Sequence, residues 1–286
     1  MFAAMTLILV VVGWVVGFLF GNVWTGMWVM LAIAVVMNLA SYFFSKKMAL
    51  SMNRVRLVTY DEEPRLYSIV QRLADRAGLP MPEVGISEMP MPNAFATGRG
   101  PKDAAVVATR PLLNMLTDEE LEGVMAHELS HVKNRDILVM SVASTMAAMV
   151  SYITRMAVWS SIFSDEDNGG LGFAIALLAD VTMPIAAMLV QLGVSRNREY
   201  LADESGARLT GKPMALASAL RTIESGCSTN YNTYDNPSAA NMWISNPFGK
   251  KRMSGLVNLF RTHPSTEDRI ERLKKLDTEI NGITHY

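Results

Sequence analysis

Cysteine is nearly absent from this chain: Cys227 is the only one in 286 residues. One thiol excludes an intramolecular disulfide and any zinc knuckle built from several cysteines, and it fits a reducing compartment. Charge is scarce as well. Charged side chains make up 19% of the chain and the net charge is −1, so there is no basic field to attract nucleic acid, and nucleic acid is not expected as a partner. Histidine is rare, with four in all. No internal repeat is visible, and no serine or cysteine stands out as a nucleophile.

What the chain has in excess is apolar sequence, 50% overall, gathered into residues 3–44, 137–163 and 171–194. Residues 3–20 and 23–44 carry no charge and are separated only by Gly21 and Asn22. A membrane-spanning helix needs about 20 apolar residues, so the pair reads as a transmembrane hairpin. A cleaved signal peptide fits less well, because the start lacks basic residues and a second span follows at once. The runs 137–163 and 171–194 are long enough to span but contain Arg155, Asp180 and Pro184. Ionisable residues inside a span usually face a partner or a cavity, and Arg155 and Asp180 are candidates for such a pair. The alternative is a buried soluble hairpin.

Lys46, Lys47, Arg54 and Arg56 follow the second run, Lys133 and Arg135 precede the third, and Arg196 and Arg198 follow the fourth. The two short outer turns have no Lys or Arg. Cytoplasmic segments carry the Lys and Arg excess. One orientation suits every loop, with both termini and the two polar segments in the cytoplasm. The expected organisation is a transmembrane hairpin (1–45), a first cytoplasmic part (46–136), a second hydrophobic hairpin (137–194) and a second cytoplasmic part (195–286).

In the first polar part, residues 61–77 read as an amphipathic helix. Asp61 is the expected N-cap, Leu66, Ile69, Val70 and Leu73 form the apolar face, and Gly78 and Pro80 stop it. Strands are expected around 84–86 and 104–109, with 93–97 as a possible third. Thr117 and Glu120 have capping-box spacing at the start of the next helix. Residues 226–255, rich in Ser, Asn, Gly and Pro, read as a long loop. The last helix is expected from Ser265, with surface pairs Asp268–Arg272 and Glu271–Lys275. The fold class is mainly α with a small β-sheet.

Residues 127–131 are H-E-L-S-H. Histidines four apart share a helical face with Cβ atoms about 5–6 Å apart, so His127 and His131 can hold one zinc ion, with Glu128 beside its water. Glu199 and Asp203, in R-N-R-E-Y-L-A-D, repeat that spacing. Glu199 would complete a two-His, one-Glu zinc set, and Asp203 would be free to accept from the far ring nitrogen of a ligand histidine. The bland reading of that pair is a solvated acidic face. Apart from metal-assisted amide hydrolysis at one zinc per chain, a non-catalytic membrane interaction protein with a structural zinc remains possible. His131 lies six residues before Ile137, so a continuous helix would carry the zinc face directly out of the membrane.

These motifs resemble the HtpX family of membrane zinc peptidases, which is related to the CAAX prenyl protease. The resemblance rests on the N-terminal hairpin, P-N-A-F-A at 92–96, T-D-E-E-L-E-G-V-M-A-H-E-L-S-H-V-K-N-R-D at 117–136, the Glu199 segment and T-H-P at 262–264. It implies a cytoplasmic, gluzincin-like peptidase domain on an inner-membrane protein with about four transmembrane helices. It also implies stress-response quality control by cleavage of damaged or misassembled membrane proteins. It further implies that Asn93, Ala94, Phe95 and Ala96 form an edge strand for an extended substrate, and that His263 stands near the substrate carbonyl. The expected partners are protein or peptide substrates and the lipid bilayer. The chain departs from the family at Pro111, where glycine is favoured. A CAAX-type processing peptidase would need more spans than this chain offers.

Overall fold

The computed structural model describes residues 2–19, 21–143, 145–146, 196–229 and 264–282. It opens on two antiparallel helices, α1 (Phe2–Leu19) and α2 (Val23–Met52). Asn22 caps α2 by accepting from the Thr25 backbone N–H. The helices cross where only glycine fits: a Cβ on Gly26 would lie 2.2 Å from the Gly13 carbonyl oxygen and 2.8 Å from Gly17 Cα. Asn38 Nδ2 donates to Thr6 Oγ1 across the pair at 2.9 Å. Trp14, Phe18, Trp24, Trp28, Val36 and Phe43 face outward. So broad an apolar belt suits lipid rather than water, and α2 is long and apolar enough to cross a membrane.

At about 1.5 Å per residue, the 30 residues of α2 reach about 45 Å, well beyond a hydrocarbon core of about 30 Å. Its last turns rise onto a small sheet. Lys46 pairs with Glu83 at 3.0 Å and Asp103 at 3.2 Å, tying the helix to that sheet. The strands are β1 (Val55–Leu57), β2 (Glu83–Ser87), β3 (Ala94–Gly98) and β4 (Ala104–Thr109), in the order β1-β2-β4-β3. β2 and β4 are parallel, whereas the outer strands pair antiparallel, β1 with β2 and β3 with β4.

Helix α3 (Pro64–Ala77) lays Leu66, Ile69, Val70 and Leu73 into the core, as its periodicity predicts, and ends at Gly78. Its N-cap is Glu63 rather than Asp61, because Pro64 occupies the first helical position, where a missing N–H is harmless. Thr109 caps the short α4 (Arg110–Met115), whose first turn accommodates Pro111 for the same reason. Helix α5 (Asp118–Lys133) begins with the full capping box of Thr117 and Glu120.

The expected continuous helix from His131 into the hydrophobic run is not formed. α5 ends at Lys133 with Asn134 as its C-cap, Arg135 takes a left-handed φ of 61°, and the chain is helical again over 136–143. Helices α6 (Arg196–Thr210) and α7 (Pro213–Thr229) follow, so the first four residues of the expected 226–255 loop are helical. The rest of that loop, most of both later hydrophobic runs, Arg155 and Asp180 lie outside the described residues.

The last helix, α8 (Thr266–Asn281), is capped by the Ser265 hydroxyl. Glu271 and Lys275 pair at 3.1 Å, as expected. Arg272 instead stacks on the Tyr200 ring at 3.6 Å, where an exposed pair with Asp268 would gain little.

Candidate metal centre

Helix α5 is the buried axis of the polar domain. Residues 123–132 are buried throughout, with Val124, Met125 and Leu129 in the core and the two histidines on the flank toward α6. α6 comes close because Gly206 has no side chain: a Cβ there would lie 2.8 Å from the His127 backbone nitrogen. That approach carries Glu199 into the space between the two rings.

The rings of His127 and His131 stand edge to face with centroids 4.9 Å apart. His127 Nε2 lies 3.7 Å from one Glu199 oxygen, and His131 Nε2 lies 3.5 Å from the other. One ligand atom from each residue falls within 4.8 Å of the others, and all three residues are buried. Glu128 is 4% exposed on the same helix.

The outer nitrogens are held separately. His127 Nδ1 lies 2.9 Å from Asp203 Oδ1, so the ring donates there and turns the Nε2 lone pair toward Glu199. Arg269 grips Asp203 with two bonds, Nε to Oδ2 at 2.8 Å and NH2 to Oδ1 at 2.6 Å. His131 Nδ1 lies 3.4 Å from Asp136 Oδ2. On an unbroken helix, residues five apart point about 140° away from each other. The left-handed turn at Arg135 is what brings Asp136 back to His131.

Electrostatics follows from this crowding. Burial alone would raise the Asp203 carboxyl, but the Arg269 charge and its hydrogen bonds hold it below the ordinary carboxylate range. Burial opposes the charge on Arg269, yet Asp203 keeps its pKa above the usual value. Burial likewise disfavours a charged His131, and the Asp136 hydrogen bond with the Glu199 and Glu128 charges outweighs it, raising that pKa. The donor set fits zinc. Two imidazole nitrogens and a carboxylate face one another with an excess of lone pairs, and a divalent cation satisfies all of them at once.

β3 runs along the outer edge of the sheet, beside α5. Thr109 donates its backbone N–H to the Asn93 carbonyl at 2.8 Å, and Asn93 donates to Thr109 Oγ1 at 2.8 Å. By the alternation of an antiparallel ladder, Phe95 and Thr97 also bond inward to β4. Of Asn93, Ala94, Phe95 and Ala96, only Ala94 and Ala96 turn their main-chain groups away from β4; both residues are buried, and those groups have no partner among the described residues. His263 lies outside the described residues.

Arg269 and Asp136 are site residues that sequence reasoning missed. Each left a trace. Arg269 is a charge on the apolar stripe of α8 with Leu273 and Leu276, and Asp136 closes the N-R-D that follows the second histidine.

Residues 61–277 match the model of peptidase family M48. The chain is 47% identical to the Protease HtpX homolog of Thermococcus sibiricus, over 94% of this chain and 92% of that one. It is also 47% identical to the Protease HtpX homolog of Pyrococcus furiosus, with the same coverage. A bacterial Protease HtpX homolog, from Aquifex aeolicus, is 47% identical over 88% of this chain and 84% of its own. The crystal structure of S. mikatae Ste24p shares the fold with a TM-score of 0.50 at 20% identity, over 86% of this chain. This chain spans 57% of that structure's length.

Proposed function

The chain belongs to peptidase family M48 as an HtpX-type membrane metalloprotease, and from that premise we propose that it is a zinc-dependent endopeptidase cleaving damaged or misfolded membrane proteins at the cytoplasmic face. His127, His131 and Glu199 hold the metal in this reading, one zinc per chain. The observation that carries it is the convergence of both imidazole Nε2 atoms on the two oxygens of the buried Glu199, at 3.7 and 3.5 Å.

When bound, zinc supplies Lewis acidity and lowers the pKa of water toward about 7. Glu128 takes a proton from the attacking water and delivers it to the leaving amine nitrogen, so no covalent acyl intermediate is needed. Asp203, fixed by Arg269, holds the Nδ1 proton of His127 and so keeps Nε2 available as a ligand. Ala94 and Ala96 bind the substrate main chain as an added strand, and His263 donates to the carbonyl oxygen as its charge develops. A closed structural zinc would want four protein ligands. Three ligands with a carboxylate following the first favour catalysis.

The α1–α2 hairpin and the Lys and Arg distribution support a multi-pass inner-membrane protein with the peptidase domain and both termini in the cytoplasm. The metal centre then stands at the membrane surface, within reach of exposed loops and partly extracted segments, and location sets much of the selectivity. The test has two arms. Zinc-loaded protein in nanodiscs should cleave both casein and a destabilised membrane protein in the same bilayer, and chelation should stop both. Cleavage that survives chelation contradicts the zinc reading. Cleavage of casein alone contradicts the substrate class.

A further inference from the structure

Ser141 stands at one end of the strand edge that faces the metal helix. It lies in the helical stretch 136–143, after the break at Arg135, and is 1% exposed. Its Oγ accepts from the Gly98 backbone N–H at 3.3 Å and shares a hydrogen bond with Thr97 Oγ1 at 2.8 Å. The Thr97 hydroxyl is fully buried with it.

The ladder parity gives this contact its meaning. Asn93, Phe95 and Thr97 bond inward to β4, so the groups that face away from β4 belong to Ala94, Ala96 and Gly98. An incoming strand pairs with every second residue of an edge. Here the third such residue is already occupied, because the Ser141 hydroxyl sits where a substrate carbonyl would accept from Gly98. The same end is braced from the other side. Arg99 pairs with Asp103 at 2.8 Å, and Asp103 with Lys46 of α2 at 3.2 Å. Ala94 and Ala96 are 1% and 6% exposed, so this edge is enclosed and a substrate strand pairs with it only by displacing its cover.

We propose that Ser141 is a specificity-determining residue: its hydroxyl caps the Gly98 N–H and stops strand addition after Ala96, limiting the substrate segment bound as a strand to the residues that pair with Ala94 and Ala96. This rests on the edge-strand reading above. The occupant is the extended main chain of a peptide substrate, read without regard to side chains. Because Ser141 belongs to the hydrophobic run 137–163, the stop is set by the helix that follows the metal helix.

The test uses the full chain in nanodiscs, loaded with zinc. Its probes are quenched fluorogenic peptides of increasing length and a parallel set with single backbone ester replacements, which remove an N–H donor and weaken a carbonyl acceptor. In the native protein, KM should fall with length and then level off, and ester replacements should raise KM only within the segment paired to Ala94 and Ala96. Ser141→Ala frees Gly98 to donate to the substrate. The length series should then extend by one further pairing position, with KM for the longer peptides lowered about threefold to tenfold relative to the shorter ones, the worth of one net hydrogen bond. Ser141→Thr keeps the hydroxyl and should keep the native plateau. An unchanged plateau in Ser141→Ala, with ester sensitivity intact, overturns the stop and leaves the edge reading standing. Insensitivity to ester replacement at every position overturns the edge reading itself. If Ser141→Ala lowers activity equally for all lengths, the residue is structural and the proposal fails.

Discussion

Asp136 Oδ2 lies 3.4 Å from His131 Nδ1, although the two residues are five apart and could not meet along one helix. The meeting depends on Arg135, whose φ of 61° follows the end of α5 and redirects the chain into the hydrophobic run 137–163. Asp136→Asn should therefore weaken zinc binding by about 10- to 100-fold, the usual loss for an outer partner of a ligand histidine. Zinc competition against a chromophoric chelator measures it. Affinity within a factor of two of native would mean the contact does not orient His131.

Arg135→Gly should be tolerated and should stabilise the fold modestly, because glycine adopts that φ without strain. Arg135→Pro should lose both fold and metal, since proline cannot take a positive φ. Thermal unfolding in detergent, read together with zinc content, distinguishes the two. A native-like Arg135→Pro would contradict the left-handed break.

The buried pair of Arg269 and Asp203 joins the C-terminal helix to the metal centre. Removing one member strands the other in the interior, which costs about 3–5 kcal/mol. Arg269→Met should show that loss in unfolding midpoint. Arg269→Met combined with Asp203→Asn should recover part of the stability but not the zinc affinity, because His127 has then lost its anionic partner. A double variant with native affinity would show that the pair serves packing alone.

Much of this centre was legible in the chain. The two histidines and Glu199 announce themselves by spacing, and the Thr117–Glu120 capping box is local chemistry that survives folding unchanged. β1 escaped notice because Val55–Leu57 is three residues long, too short for alternation to show. The helix break escaped it because Asn134 and Arg135 carry no Gly or Pro to mark a turn. Arg269 was hidden for a different reason: a buried cation is explained only by a partner 66 residues away, and no local pattern encodes that distance.

Glu120 supplies the pH dependence. Burial alone would raise its carboxyl, but hydrogen bonds from Ser218, Thr117 and Thr222 lower it below its ordinary value. A carboxylate depressed in the folded state stabilises fully above its unfolded pKa, about 4.3, and loses that contribution as pH falls through the lower folded value. Glu120→Gln keeps a capping-box partner at that position but loses the charge, so it should be less stable near neutral pH by about 1 kcal/mol, the difference between a charged and a neutral hydrogen bond, and the gap should close on acidification below about pH 4. A gap that widens at low pH would contradict the assigned sign.

Gly206 governs the distance between α5 and α6. With 2.8 Å between an added Cβ and the His127 backbone nitrogen, Gly206→Ala must push the helices apart. Zinc affinity should fall more than global stability, because Glu199 reaches the rings only across that contact. Equal zinc affinity in Gly206→Ala would remove the close approach from the account.

The most direct measurement concerns Glu128, which sits beside His127 without completing the ligand set. Glu128→Gln should bind close to one equivalent of zinc, while its rate on casein falls by about 10²–10⁴-fold, the contribution expected of a general base. Zinc content and cleavage rate measured on the same nanodisc preparation decide the matter. Retained zinc with lost cleavage is the predicted result. Retained zinc with more than about a tenth of the native rate, far above the loss expected for a missing base, would contradict the mechanism.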